Sequence, residues 1–249
     1  MLGCLLTISL SFLLQSCGQG IAKRDTPLPR NDSDTAVVRG VSTLSLIGDI
    51  TRFEKEIRTF EHDDSTRGYR KGAVLFIGSS SIRLWKTAAE SFRPAHIINR
   101  GFGGATIAEV NHYYPRIVPK YMPRMIVFYC GENDLSHDAA SVDTVFADYR
   151  RFFEAVKRDL PETQLVFLSV KDSPSRMQWS DKFAGFNARV QALESGYPNF
   201  RFVDVRTPLL QKNGLPDPAL FRKDMLHLNA EGYSRWEKAL KPAVKAALP

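Results

Sequence analysis

The sequence predicts an α/β protein: a three-layer α/β/α domain whose five-stranded parallel sheet carries helices on both faces. Three observations predict it. Short apolar runs of strand length recur at 74–77, 96–98, 125–129, 165–170 and 200–205. Stretches with apolar residues at helical spacing alternate with them, so each strand is followed by a helix that returns the chain to the same edge. The runs also tend to be continuously apolar, as in strands covered on both faces.

Composition sets the frame. With 249 residues, 43% hydrophobic and 24% charged, the chain is long enough for one good core, and one domain with an N-terminal appendage is expected. Lys and Arg total 34 against 27 Asp and Glu, a formal charge of +7. The basic residues are scattered, with no run of five, so a solvated surface with anionic glycans or lipid headgroups as neighbours is expected, and no nucleic-acid partner. Three cysteines make no disulfide framework. Cys4 and Cys17 lie in or beside the first apolar segment, while Cys130 closes the run Met125–Tyr129 and reads as a buried small hydrophobe.

Residues 1–16 are apolar and uncharged, too short for a comfortable transmembrane helix, and fit a secretory leader. Leu14-Gln15-Ser16-Cys17 resembles a bacterial lipobox, in which the leader is cut before a cysteine that becomes lipidated. Cys17 is therefore the expected lipidation site, with a plain signal peptide or short anchor as the alternative. Residues 17–48, rich in Pro, Asp, Asn, Arg and Ser, read as a flexible tether. The folded domain is expected over 49–249, in a cell-envelope protein facing the periplasm or exterior and held at the membrane by its lipid.

Phe53, Ile57 and Phe60 predict a first amphipathic helix, ended by His62-Asp63-Asp64-Ser65 and Gly68. A polar loop is the expected role of His62 and its aspartates, ahead of a metal site. Val74–Ile77 then runs into Gly78-Ser79-Ser80-Ser81, a buried strand followed by a tight turn and a helix start. A serine there faces the crevice beyond the strand's carboxyl end and sits at the positive end of the next helix; a mere turn with an N-cap is the competing reading. His96–Ile98 leads into Gly101-Phe102-Gly103-Gly104, whose backbone N–H groups are free to approach a ligand.

Ile107–Val118 reads as a helix stopped by Pro119. Met125–Tyr129 is a buried strand ending in Gly131-Glu132-Asn133-Asp134. Val142, Val145, Phe146, Tyr149, Phe152, Phe153 and Val156 keep the clearest helical spacing in the chain. Leu165–Val170 is a strand, Phe183–Leu193 a helix, and Phe200–Val205 the fifth strand. Trp236, Leu240 and Val244 mark a last helix, capped by Asn229.

Just before that helix stands Asp224-Met225-Leu226-His227. A carboxylate three residues before a histidine can accept the Nδ1–H and hold the imidazole in one tautomer while Nε2 points elsewhere. Alone this is a weak pattern. Combined with Ser80 at a strand end, a glycine turn and an Asn at two other strand ends, it supplies nucleophile, base, orienter and oxyanion donors in one crevice.

With these four blocks in this order, the stretch Gly72–Leu248 resembles the SGNH (GDSL-type) esterase and lipase family. The resemblance implies a flavodoxin-like sheet and a serine hydrolase that needs no cofactor and no metal. Gly78-Ser79-Ser80 stands for the family's Gly-Asp-Ser, which makes Ser80 the nucleophile, with Ser81 as a competitor one residue away. Gly104 carries the second block and Asn133 the third, so the oxyanion hole is expected from Ser80, Gly104 and Asn133, and the triad from Ser80, Asp224 and His227. Ser79 replaces the usual Asp, a change expected to touch turn support more than chemistry.

The expected activity is hydrolysis of short-chain acyl esters through an acyl-enzyme, on a small-molecule or glycan ester, acetyl groups on carbohydrates included. Polar loops at 171–179 and 207–226, without an amphipathic lid, point to small acyl groups. A lysophospholipase or thioesterase of the same family is the alternative. Two rivals come from other classes: a metal-dependent hydrolase using Asp134, His137, Asp138, Asp224 and His227, and a non-catalytic binding lipoprotein. Arg100, Trp179 and Arg222 are candidate pocket liners. Oligomeric state is not readable from the sequence.

Overall fold

A computed structural model describes residues 48–248 of the protein. The leader, Cys17 and nearly all of the expected tether lie outside the described residues. No described helix is long and apolar enough to cross a membrane.

The described chain runs α1 (Glu54–Arg67), β1 (Val74–Gly78), α2 (Ser80–Arg83), α3 (Ala88–Ser91), β2 (Ile97–Gly101), α4 (Ile107–Ile117), β3 (Met125–Tyr129), α5 (Glu132–Leu135), α6 (Val142–Asp159), β4 (Gln164–Leu168), α7 (Ser180–Ala192), β5 (Phe200–Val203) and α8 (Ala230–Ala246). The five strands form one parallel sheet in the order β2-β1-β3-β4-β5. The chain steps outward from β1 to β2, then crosses back to β3 on the other side. The crevice between the diverging connections opens beyond the carboxyl ends of β1 and β3, where ligands bind in such sheets.

Successive side chains of a strand point to opposite faces, and both faces here are apolar. Leu75, Ile77, Ile126 and Phe128 pack with Ile57 of α1, Val110 of α4, Phe152 of α6 and Phe186 of α7. Val74, Phe76, Val127 and Tyr129 pack with Ile82, Trp85, Trp236 and Leu240, under α2 and α8. This is the three-layer α/β/α arrangement.

Local chemistry fixes the helix ends. Thr106 caps α4 in a capping box with Glu109, Ser141 caps α6, and the Asn229 side chain accepts the Gly232 N–H at the start of α8. β4 and β5 stop earlier than the apolar runs suggest because side chains take over the backbone groups. The Ser169 hydroxyl accepts the N–H of Val205 and Arg206, and Asn187 takes the Val170 N–H.

One local reading is corrected. His62-Asp63-Asp64-Ser65 does not end the first helix but lies inside α1. Asp64 is buried, ion-paired to Arg100 and Lys120 and hydrogen-bonded by the Tyr121 hydroxyl at 2.6 Å. These partners hold a poor helix former in the last turn. Arg100, expected near a pocket, is consumed by this structural pair.

Candidate active site

Four loops at the carboxyl edge of the sheet carry the expected residues. β1 ends at Gly78 with φ 136°, where a Cβ would stand 1.9 Å from the Tyr129 carbonyl oxygen. Only glycine lets the chain pass β3 this closely. That same carbonyl accepts the Ser79 N–H at 3.0 Å, and the Ser79 carbonyl receives the N–H of Ile82 and Arg83, turning strand into helix within two residues. Ser80 therefore opens α2 with its side chain in the crevice, while Ser81 is buried and its carbonyl accepts the Tyr233 hydroxyl at 2.9 Å. The Ser79 backbone supports the turn where the family's aspartate would stand.

The Asp224–His227 segment is the bend of a hairpin closed by an antiparallel bridge between Phe221 and Leu228. Arg222 donates from its N–H to the His227 carbonyl at 2.7 Å and from Nε to the Leu228 carbonyl at 3.0 Å. Arg222 thus builds the hairpin rather than lining a pocket. Inside the bend, Asp224 Oδ1 accepts the N–H of Leu226 and His227 at 3.0 and 2.9 Å, and Oδ2 lies 2.7 Å from His227 Nδ1. Met225 takes a positive φ of 54° to allow this, an uncommon conformation for a side-chain-bearing residue.

His227 Nε2 lies 3.0 Å from Ser80 Oγ. With Asp224 accepting at Nδ1, the proton belongs there and Nε2 offers its lone pair to the serine. Desolvation raises the Asp224 pKa, but hydrogen bonds from the His227 ring, the His227 N–H and the Leu226 N–H outweigh it and hold the carboxyl down at about 2. The orienting carboxylate is ionised throughout the ordinary pH range.

Gly104, after β2, has φ 82° and open space where a Cβ would be. Asn133, after β3, donates from Nδ2 to the Ala105 carbonyl at 2.9 Å, leaving its second Nδ2 hydrogen directed elsewhere. Among the described residues neither the Ser80 nor the Gly104 N–H meets an acceptor. Three donors thus stand at the ends of the adjacent strands β2, β1 and β3.

The neighbouring groups serve the frame. Asp134 Oδ1 accepts the Ile107 N–H at 2.8 Å, joining the third block to the start of α4, and burial pushes its carboxyl up to about 7. His137 and Asp138 are exposed, and their carbonyls bind Lys182. Among the described residues no three His, Cys, Asp or Glu side chains are grouped to hold a metal. Trp179 reaches Asp138 at 3.4 Å from Nε1 and packs against the core. Cys130 is buried, its thiol directed at the Ala105 carbonyl at 3.3 Å, and burial pushes its pKa well up.

Sequence reasoning missed the ionic support beside Asn133. Lys171 Nζ lies 3.0 and 3.1 Å from the two Glu132 oxygens, the Tyr129 hydroxyl donates to Glu132 at 2.6 Å, and Arg176 Nη1 donates to Asn133 Oδ1 at 3.1 Å. Glu132 occupies the variable position of Gly-x-Asn-Asp, and Lys171 and Arg176 lie in a loop with no pattern of its own. The only hint is charge placed directly after apolar strands. Arg52 was missed too: it pairs with Glu109 and donates to the Gly104 carbonyl at 3.0 Å.

Residues 64–235 match the GDSL-like lipase/acylhydrolase family. Among solved structures, a protein of Streptococcus pneumonia is 24% identical with a TM-score of 0.69, covering 81% of this chain and 96% of that one. A GDSL-like lipase from Bacteroides thetaiotaomicron is 23% identical with a TM-score of 0.63, over 80% and 98% of the two chains. A catalytic mutant of an acetylxylan esterase from Geobacillus stearothermophilus is 15% identical with a TM-score of 0.57, over 71% and 95%. At these identities the likeness to solved structures establishes the fold. No curated protein matches significantly.

Proposed function

The chain belongs to the GDSL-like lipase/acylhydrolase family, and from that premise we propose that it is a serine esterase acting on short-chain acyl esters, acetylated carbohydrates among them. The observation that carries the mechanism is the unbroken line from Asp224 Oδ2 through the His227 ring to Ser80 Oγ, at 2.7 and 3.0 Å. Ser80 Oγ attacks the acyl carbonyl carbon as Nε2 takes its proton. The carbonyl π electrons move to oxygen, and the resulting oxyanion is met by the N–H groups of Ser80 and Gly104 and the Asn133 amide. Asp224 stabilises the imidazolium, which then protonates the departing alcohol. Water, deprotonated by His227, hydrolyses the acyl-serine and restores the enzyme.

The preference for small acyl groups is supported by the character of the rim. Arg83, Lys223 and Asp224 are exposed around the crevice, with Met225 a lone exposed apolar side chain among them. Such a rim suits a hydrophilic alcohol better than a long acyl chain, which needs extended apolar cover. The acetylxylan esterase among the structural neighbours supports the carbohydrate reading by analogy alone. In the same reading the enzyme sits in the cell envelope, anchored through lipidated Cys17, and Cys17→Ala loses membrane partitioning.

The decisive test is purified protein with p-nitrophenyl esters of graded chain length and acetylated xylo-oligosaccharides. Activity falling steeply beyond butyryl, abolished together with fluorophosphonate labelling in Ser80→Ala and kept in Ser81→Ala, is expected. A preference for dodecanoyl or longer esters refutes the substrate reading, and labelling that survives Ser80→Ala refutes the nucleophile.

A further inference from the structure

An oxyanion donor supplied by a side-chain amide carries a hazard that a backbone N–H does not. Rotating the amide by half a turn exchanges its NH₂ donor for its carbonyl acceptor, and an acceptor facing a developing oxyanion repels it. Asn133 is held at both ends. Its Nδ2 donates to the Ala105 carbonyl at 2.9 Å, and its Oδ1 accepts from Arg176 Nη1 at 3.1 Å. A hydroxyl or water in place of the guanidinium would tolerate either orientation. Arginine has no acceptor, so it admits only the oxygen.

Arg176 is itself fixed. Its side chain is only 19% exposed, and Nη1 lies 3.6 Å from Glu132 Oε1. Glu132 is in turn gripped by the fully buried Lys171 and by the Tyr129 hydroxyl. The preceding residue ties this loop to the triad hairpin, since the Ser175 N–H and hydroxyl both donate to the Met225 carbonyl, at 3.1 and 2.9 Å. Arg176 thus stands on a stiff loop between the oxyanion asparagine and the base-bearing hairpin.

We propose that Arg176 is a positioning residue for catalysis: it locks the Asn133 amide with Nδ2 toward the oxyanion and, by drawing electron density to Oδ1, makes the remaining Nδ2–H a stronger donor. The proposal rests on the reading of Asn133 as an oxyanion donor in an esterase. Because the oxyanion exists only in the transition state, the effect falls on kcat and not on KM.

The test is a double-mutant cycle on the full-length protein with p-nitrophenyl acetate, a neutral substrate. Arg176→Ala is expected to lower kcat about 10- to 10²-fold, the scale of a misplaced catalytic group, with KM little changed. Arg176→Lys, which keeps a donor-only cation, recovers part of the loss. In an Asn133→Ala background, Arg176→Ala adds little, since a residue acting through another has nothing left to position. Thermal unfolding of each variant separates this from loss of fold, and Arg176→Met, which keeps the packed stem, takes the alanine's place if that variant does not fold. Equal losses in both backgrounds overturn the proposal, as does a change confined to KM for an anionic ester such as a hemisuccinate, which would make Arg176 a substrate-binding group. An active wild type with a silent Arg176→Ala also overturns it while leaving the esterase reading intact. An Asn133→Ala variant with unchanged kcat removes the oxyanion assignment and this proposal with it, and a wild type that neither labels nor hydrolyses shows that the esterase reading itself has failed.

Discussion

Asp224 holds His227 twice, with Oδ2 on the ring Nδ1 at 2.7 Å and Oδ1 on the backbone N–H at 2.9 Å. One carboxylate therefore sets both the tautomer of the base and the shape of the bend that presents it. Asp224→Asn keeps an oxygen for the backbone bonds and lets an NH₂ face Nδ1, which stabilises the wrong tautomer. A fall in kcat of about 10⁴ is expected, as when the aspartate of a Ser-His-Asp triad is replaced by asparagine. Asp224→Asn within tenfold of wild type on p-nitrophenyl acetate contradicts the arrangement.

Asn133 offers one donor of three. Losing one such donor costs about 10²–10³ in kcat, so Asn133→Ala is expected to be slow yet still labelled by a fluorophosphonate. Unchanged turnover contradicts its place in the hole.

The buried pair Lys171–Glu132 is 1% and 5% exposed at its side chains. Removing one partner of such a pair typically costs about 3–5 kcal/mol, and with Arg176 and the Tyr129 hydroxyl still on Glu132 the low end of that range is expected for loss of Lys171. Lys171→Met should lower the urea midpoint accordingly, and Lys171→Met with Glu132→Gln should recover much of it. A single variant as stable as wild type argues against the pair's contribution.

Asp134 gives a pH signature. Its folded carboxyl is pushed from an ordinary 3.8 up to about 7, by burial first and with backbone hydrogen bonds opposing. The folded state thus keeps a proton that the unfolded chain releases, so the favourable contribution is full below about pH 4 and is lost as pH rises through 7. Asp134→Asn is neutral at every pH. The wild-type Tm minus that of Asp134→Asn should shrink steadily from pH 5 to pH 8, and a flat difference would falsify the raised pKa.

The sheet and its long helices were legible because their patterns are local: β1 and β3 are uninterrupted apolar runs, and α6 repeats its apolar positions over about four turns. The candidate residues Asn133, Asp224 and His227 were legible for a different reason, since Gly-x-Asn-Asp and Asp-x-x-His are short motifs whose spacing has local geometric meaning. What joins them was not readable, because Ser80 and His227 meet across 147 residues. Arg176 reaches Asn133 across 43 residues from an irregular loop, and nothing in its neighbours distinguishes it from a solvated arginine. Arg100 and Asp64 failed in the opposite direction. Each looked available for a site or a loop, and a pairing across 36 residues turned both into structure.

The last helix is bolted to the turn that carries Ser80. Glu237 of α8 accepts hydrogen bonds from Trp85 Nε1 at 3.1 Å, Thr87 Oγ1 at 2.9 Å and Ser91 Oγ at 2.7 Å, while Tyr233 holds the Ser81 carbonyl and stacks on Trp85. Ser80 emerges early in synthesis, but its platform and its partner His227 both wait for residues beyond 224. The contact between Ser80 and His227 therefore cannot form until the final segment of the chain has left the exit tunnel, so the candidate site is among the last features of the fold to be completed.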